Sequence, residues 1–90
     1  MADSTDGADS SVQVLYFAAL RDLAGTGEEH VGLRAPLSVG ALLGQLEDRH
    51  GQLRGRLGSV RVAVNEEFTE LTTLLLGGEV VALIPPVSGG

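Results

Sequence analysis

Glu79-Val80-Val81-Ala82-Leu83-Ile84-Pro85-Pro86-Val87-Ser88-Gly89-Gly90 carries the decisive pattern of this 90-residue chain. Residues 79–84 are apolar on both faces of an extended strand, which suits a central strand with a neighbour on each side. Pro85 and Pro86 have no N–H to give to a ladder, so they stop the strand and hold the chain extended as a stiff stalk leaving the sheet. Gly89 and Gly90 lack side chains, so a chain ending in them enters a channel too narrow for any other residue pair. Only backbone and an α-carboxylate would reach the bottom. That carboxylate, with an ordinary pKa of about 3.3–3.7, is anionic at neutral pH and can attack a phosphoryl centre. Any terminus can end in Gly and Ser without a function. The succession of apolar strand, Pro-Pro stalk and small tip is what points to a functional tail over residues 85–90.

Working back towards the start, the same alternation and spacing arguments place the other elements. Val12-Gln13-Val14-Leu15-Tyr16-Phe17-Ala18 reads as a strand with Val12, Val14 and Tyr16 on one face and Gln13, Leu15 and Phe17 on the other. Residues 21–27, with Gly25 and Gly27, read as a loop, and residues 28–34 as a second strand antiparallel to the first. Pro36 closes that strand. Ser38 is a helix N-cap, and Val39, Leu42, Leu43 and Leu46 then recur at i, i+3, i+4 and i+7 along one stripe. Arg49 and His50 fall in the last turn, with Gly51 as a left-handed cap. Gly40 and Gly44 weaken the helix by about 1 kcal/mol each relative to Ala, so it depends on tertiary packing. Residues 53–58 suggest a loop or one helical turn. Residues 61–64 form a third strand, Asn65-Glu66-Glu67 a turn and residues 68–72 a short strand. Leu74-Leu75-Leu76 is an apolar run leading to a Gly77-Gly78 turn. One helix must then cover one face of a mixed sheet of four to five strands, an α+β two-layer domain over residues 12–84. Residues 1–11 read as a disordered acidic tail.

Composition narrows the partners. The net charge is −6, all six basic residues are Arg, and there is no Lys and no Cys. An acidic chain without a basic cluster is a poor ligand for nucleic acid or an anionic membrane surface, and it is steered towards a basic docking surface. With no Cys there is no disulfide, thiolate nucleophile or Cys-based zinc site. No apolar run spans a bilayer, and residues 1–7 have neither the basic nor the apolar region of a signal peptide, so the expected location is the cytoplasm. His30 and His50 have no companions at ligand spacing, so no metal is expected. Glu66, Glu67 and Glu70 read as a solvated turn. Ser88 has no His or Asp to make it a nucleophile.

Val14-Leu15-Tyr16-Phe17-Ala18 with Arg21, the Ser38 helix start, Val62-Ala63-Val64-Asn65 and above all residues 79–90 resemble the MoaD/ThiS family of sulfur carriers, in particular its molybdopterin synthase small subunits. The resemblance covers nearly all of residues 12–90. It implies a ubiquitin-like β-grasp fold. It also implies that an E1-like (MoeB-like) adenylating enzyme uses ATP to convert the carboxylate of Gly90 into an acyl adenylate, and that a sulfur donor turns this into a thiocarboxylate. The tail formed by Pro85, Pro86, Val87, Ser88 and Gly89 would then insert into a MoaE-like large subunit, which builds the dithiolene of molybdopterin. Catalytic groups would come from these partners, and the carrier itself would bind no cofactor. The chain departs from the family in having Leu76-Gly77-Gly78 where an acidic-Gly-acidic turn is usual, in lacking Lys, and in its extra acidic N-terminal segment. Carriers for thiamine, cysteine or tRNA thiolation, a ubiquitin-like protein modifier and a passive interaction module remain open readings. For docking, Phe17, Phe68 and Ile84 are the expected anchors with Arg21 at the rim; the alternative places all three anchors in the core.

Overall fold

The computed structural model describes residues 9–86. Residues 1–8 and 87–90 lie outside it, and with them most of the expected acidic tail and the tip residues Val87, Ser88, Gly89 and Gly90.

Seven strands and two α-helices follow in the order β1 (Ser10–Tyr16), α1 (Ala19–Ala24), β2 (Glu28–Leu33), β3 (Leu37–Ser38), α2 (Val39–Arg49), a 3-10 turn (Gly51–Leu53), β4 (Arg61–Val64), β5 (Glu67–Thr69), β6 (Leu74–Leu75) and β7 (Val80–Ile84). Five strands form the main sheet in the order β2-β1-β7-β4-β5, and β3 pairs with β6 in a two-stranded ribbon. β1 and β7 run parallel at the centre, and every other pair is antiparallel. This is the β-grasp arrangement: β7, apolar on both faces, lies between β1 and β4, and α2 crosses one side.

The core forms where the two periodicities meet. Val12, Val14 and Tyr16 of β1 and Val81 and Leu83 of β7 face Val39, Leu42 and Leu46 of α2, all at most 1% exposed. Each such side chain removed from water contributes about 1.5–3 kcal/mol. Ser38 caps α2 as its spacing predicts, its Oγ accepting from the Ala41 N–H at 3.1 Å.

Four expectations need correction. Residues 21–27 are not all loop, because Ala19–Ala24 form α1, with Leu20 buried and Leu23 and Ala24 packed against the core. The i, i+3, i+4 spacing of those three residues was the signal, obscured by the flanking glycines. Gly51 is not the left-handed cap of α2; His50 ends that helix in an extended conformation and Gly51 opens the 3-10 turn that buries Leu53. The strand expected over residues 68–72 is Glu67–Thr69. The acidic tail does not reach residue 11, since Ser10 and Ser11 pair with Leu33 and Gly32 in β1.

The turn before β7 is fixed by Glu79. Its carboxylate accepts from the N–H groups of Leu76 (2.9 Å) and Gly77 (2.7 Å). Partial burial opposes its charge, and these two hydrogen bonds outweigh that and hold its pKa below the usual value. Gly77 sits at φ +117°, and a Cβ built on it would lie 2.7 Å from Ser10 Cβ. Gly77→Ala is therefore expected to destabilise the fold by about 1–3 kcal/mol. Urea unfolding checks this, with Gly44→Ala, whose Cβ would meet nothing within 4 Å, as the helix-stabilising contrast.

Candidate functional site

The two-residue period of the strands sends alternate side chains to the side of the sheet that α2 leaves open. β1 contributes Leu15 and the chain just past its end Phe17, β7 gives Ala82 and Ile84, and the β4–β5 hairpin Ala63 and Phe68, and these six line one shallow groove. Phe17 is 45% and Phe68 59% exposed, and Ile84 is half-buried. The three anchors therefore belong to the open face, and a core role for them is ruled out.

Backbone geometry explains why they stay exposed. Ala18 adopts φ 52°, a left-handed value that turns the chain sharply from β1 into α1 just after Phe17. Asn65 and Glu66, both at positive φ, make the tight β4–β5 turn. Asn65 also ties this hairpin to β7, donating its N–H to the Val80 carbonyl (2.8 Å) while its Oδ1 accepts from the Val80 N–H (3.0 Å). Phe68 stands directly opposite Ala63 and covers it.

The tail leaves from this face. Ile84 is the last residue of β7, Pro85 is half-buried and Pro86 exposed. The Phe17 N–H donates to the Leu83 carbonyl at 3.3 Å, and Arg61 is the register partner of Ile84. Arg21, on α1, lies against Gly27 and lines a depression that adjoins the groove through Leu15 and Phe17. The structure thus brings Phe17, Phe68 and Ile84 together beside Pro85 and Pro86, with Arg21 at the edge. The residues expected to carry chemistry, Gly90 and its neighbours 87–89, lie outside the described residues.

Two features of the structure lie outside the expectations drawn from the sequence. Arg61 shares the outward alternation of Ala63, and its guanidinium carbon lies 4.4 Å from the centre of the Phe68 ring. Counting Arg61 and Ala63 as one face would have found it. The second is a polar cluster on the helix side: Glu29 Oε2 accepts from Tyr16 Oη at 2.6 Å and faces His50 Nε2 at 2.6 Å, with Arg49 Nη1 3.5 Å from Oε1. These residues are up to 34 positions apart in the chain, so no local spacing signals the cluster. It ties β1, β2 and the end of α2 together, and His50 is thereby the helix-end residue it was expected to be.

Burial opposes the charge on Glu29. The hydrogen bonds from Tyr16 and His50, with the charges of His50 and Arg49, outweigh that and leave its pKa below the usual value. Burial, followed by the bond to Glu29 and its negative charge, pushes the Tyr16 hydroxyl far above its usual 10.0. The folded state therefore binds the Glu29 proton less readily than the unfolded chain. The resulting stabilisation is complete above the ordinary value of 4.5 and is lost as pH falls through the depressed one. Glu29→Gln should cost about 1–3 kcal/mol at pH 7, and the gap to wild type should narrow as urea unfolding is repeated at progressively lower pH.

A comparison of the chain with protein-family models matches the ThiS family over residues 14–90. The chain belongs to the ThiS family. Among curated ThiS-like relatives, the molybdopterin synthase sulfur carrier subunit of Mycobacterium tuberculosis is 40% identical over 80 residues, covering 88% of this chain and 96% of that one. Among solved structures, SAMP1 of Haloferax volcanii, a small archaeal modifier protein, is 30% identical with a TM-score of 0.82 over 90% of this chain and 100% of that one. A chain in the complex of subunits 1 and 2 of molybdopterin-converting factor from Helicobacter pylori is 28% identical, with a TM-score of 0.60 over 89% of this chain and 99% of that one. Among the described residues of this ThiS-family chain, no helix is long and apolar enough to cross a membrane.

Proposed function

We propose that this ThiS-family chain is the sulfur carrier of a cytoplasmic molybdopterin synthase, and that Gly90 carries the sulfur. The observation behind this is the coincidence in one place of an open apolar face and the root of a tail ending in Gly89-Gly90. A carrier has to dock by its body and deliver its terminus, and the two jobs need adjoining surfaces. The likeness to the Mycobacterium tuberculosis relative favours molybdopterin over other sulfur pathways.

The carboxylate is a poor electrophile until one of its oxygens becomes a good leaving group. On an E1-like partner it attacks the α-phosphorus of ATP, releasing pyrophosphate and forming an acyl adenylate. Sulfide-level sulfur from a donor then attacks the acyl carbon, and AMP leaves to give a thiocarboxylate. Docked on the large subunit, the tail presents that sulfur to the pterin precursor and returns as the carboxylate. The carrier's residues hold and position; the acid, base and activating groups belong to the partners.

Expression in cells that lack their own small subunit tests this, with molybdopterin formation as the readout. Restored synthesis is the expected result. The likeness to a small archaeal modifier favours a second reading, attachment of Gly90 to target lysines. Gly-Gly remnants on other proteins, without restored synthesis, would establish that reading.

A further inference from the structure

We infer that Arg61 is a second charged docking residue, placed to take a carboxylate at the rim of the partner channel that receives the tail. This rests on the carrier reading above and extends it to the chemistry of the partner's surface. Arg61 is the cross-strand partner of Ile84, the last residue before Pro85-Pro86, so it flanks the tail root on the β4 side. Arg21 flanks the groove on the β1 side.

Neither arginine has a carboxylate partner among the described residues, whereas Arg49 pairs with Glu29 and Arg54 with Asp48. In a chain of net charge −6, two such cations flank the groove even though Glu66 lines it and Glu70 lines the depression beside Arg61. Stacking on the Phe68 ring settles the guanidinium in one place and leaves its N–H edges free. Arginine in that state is a pre-organised fork for a carboxylate, losing little side-chain freedom on binding. Arg61 and Arg21, one on each side of the groove, would together also fix the carrier's rotation on its partner, which an apolar groove alone leaves loose. The partner that fits is a protein whose channel mouth has an apolar patch and at least one carboxylate on the Arg61 side.

The test measures association of the full-length chain with the molybdopterin synthase large subunit from the same genome, at low and high salt. Arg61→Glu is compared with Arg56→Glu, which makes the same change in net charge on the exposed loop after the 3-10 turn. At low salt Arg61→Glu should slow association about tenfold more than Arg56→Glu, with the gap closing as salt rises, and Arg61→Lys, which keeps the charge but loses the fork, should retain most of the association rate and dissociate faster. Equal effects of the two reversals, or a gap indifferent to salt, would overturn the inference. If Arg61→Glu unfolds, Arg61→Gln in the same assay replaces it. Failure is separable from that of the carrier reading: a wild-type chain that does not bind the large subunit contradicts the reading itself. Binding lost in Phe68→Asp but insensitive to Arg61 contradicts the Arg61 role alone.

Discussion

A chain ending at Ser88 should support no molybdopterin synthesis, although it folds as wild type and still docks. Removing Gly89 and Gly90 shortens an extended tail by about 7 Å. In the proposed mechanism the terminal carboxylate would then stop that far short of the adenylation centre, and Ser88 would bring a side chain into a channel proposed to admit only backbone. Reactions of this kind depend on reacting atoms held within about 3–3.5 Å, so the expected loss is complete. Extending the chain past Gly90 with one alanine should be nearly as damaging, because the methyl group enters the narrowest part. Molybdopterin levels in complemented cells give the answer, and thermal unfolding of each variant establishes that the body is intact. The body has little reason to respond, since the fold is closed by β7, which ends at Ile84.

Phe68→Asp should weaken binding to the large subunit by about 30-fold or more while leaving the domain folded. A buried aromatic anchor at the centre of an interface is worth about 2 kcal/mol or more, and Asp in its place would leave a charge in a desolvated contact. In the free carrier the same ring is 59% exposed, and its ties are its cover over Ala63 and the stack with Arg61. Losing the stack costs about 0.5–1 kcal/mol. Calorimetric titration supplies the affinity and urea unfolding the stability. Lost binding in a stable domain is the expected pair of results. A domain that unfolds would mean that Phe68 holds the fold together, and the docking face would have to be redrawn.

The legible parts of this protein are those where a single strand or helix carries its own periodicity. Residues 79–84 announce a central strand because both faces are apolar. Val39, Leu42, Leu43 and Leu46 announce a helix face, and the alternation of β1 separates Tyr16 in the core from Phe17 outside. What stayed hidden depends on contacts between distant segments. The α1 helix has six residues and little propensity signal of its own, and it forms because Leu20 finds the core. The Tyr16–Glu29–His50 cluster exists only once β1, β2 and α2 are assembled. Arg61 looks like any exposed arginine until the β4–β7 register sets it beside Ile84 and the hairpin turn brings Phe68 under it. The Gly-Gly end lies outside the described residues, and the role proposed for it rests on its chemistry and on the family match over residues 14–90.

The most direct measurement is the intact mass of the chain purified from cells that also express its adenylating enzyme and a sulfur donor. The expected product is a species heavier by the exchange of one oxygen for sulfur, with fragmentation confining the change to Gly90. A chain whose terminus stays an ordinary carboxylate, under conditions in which the same enzymes load another ThiS-family carrier, would contradict the carrier reading.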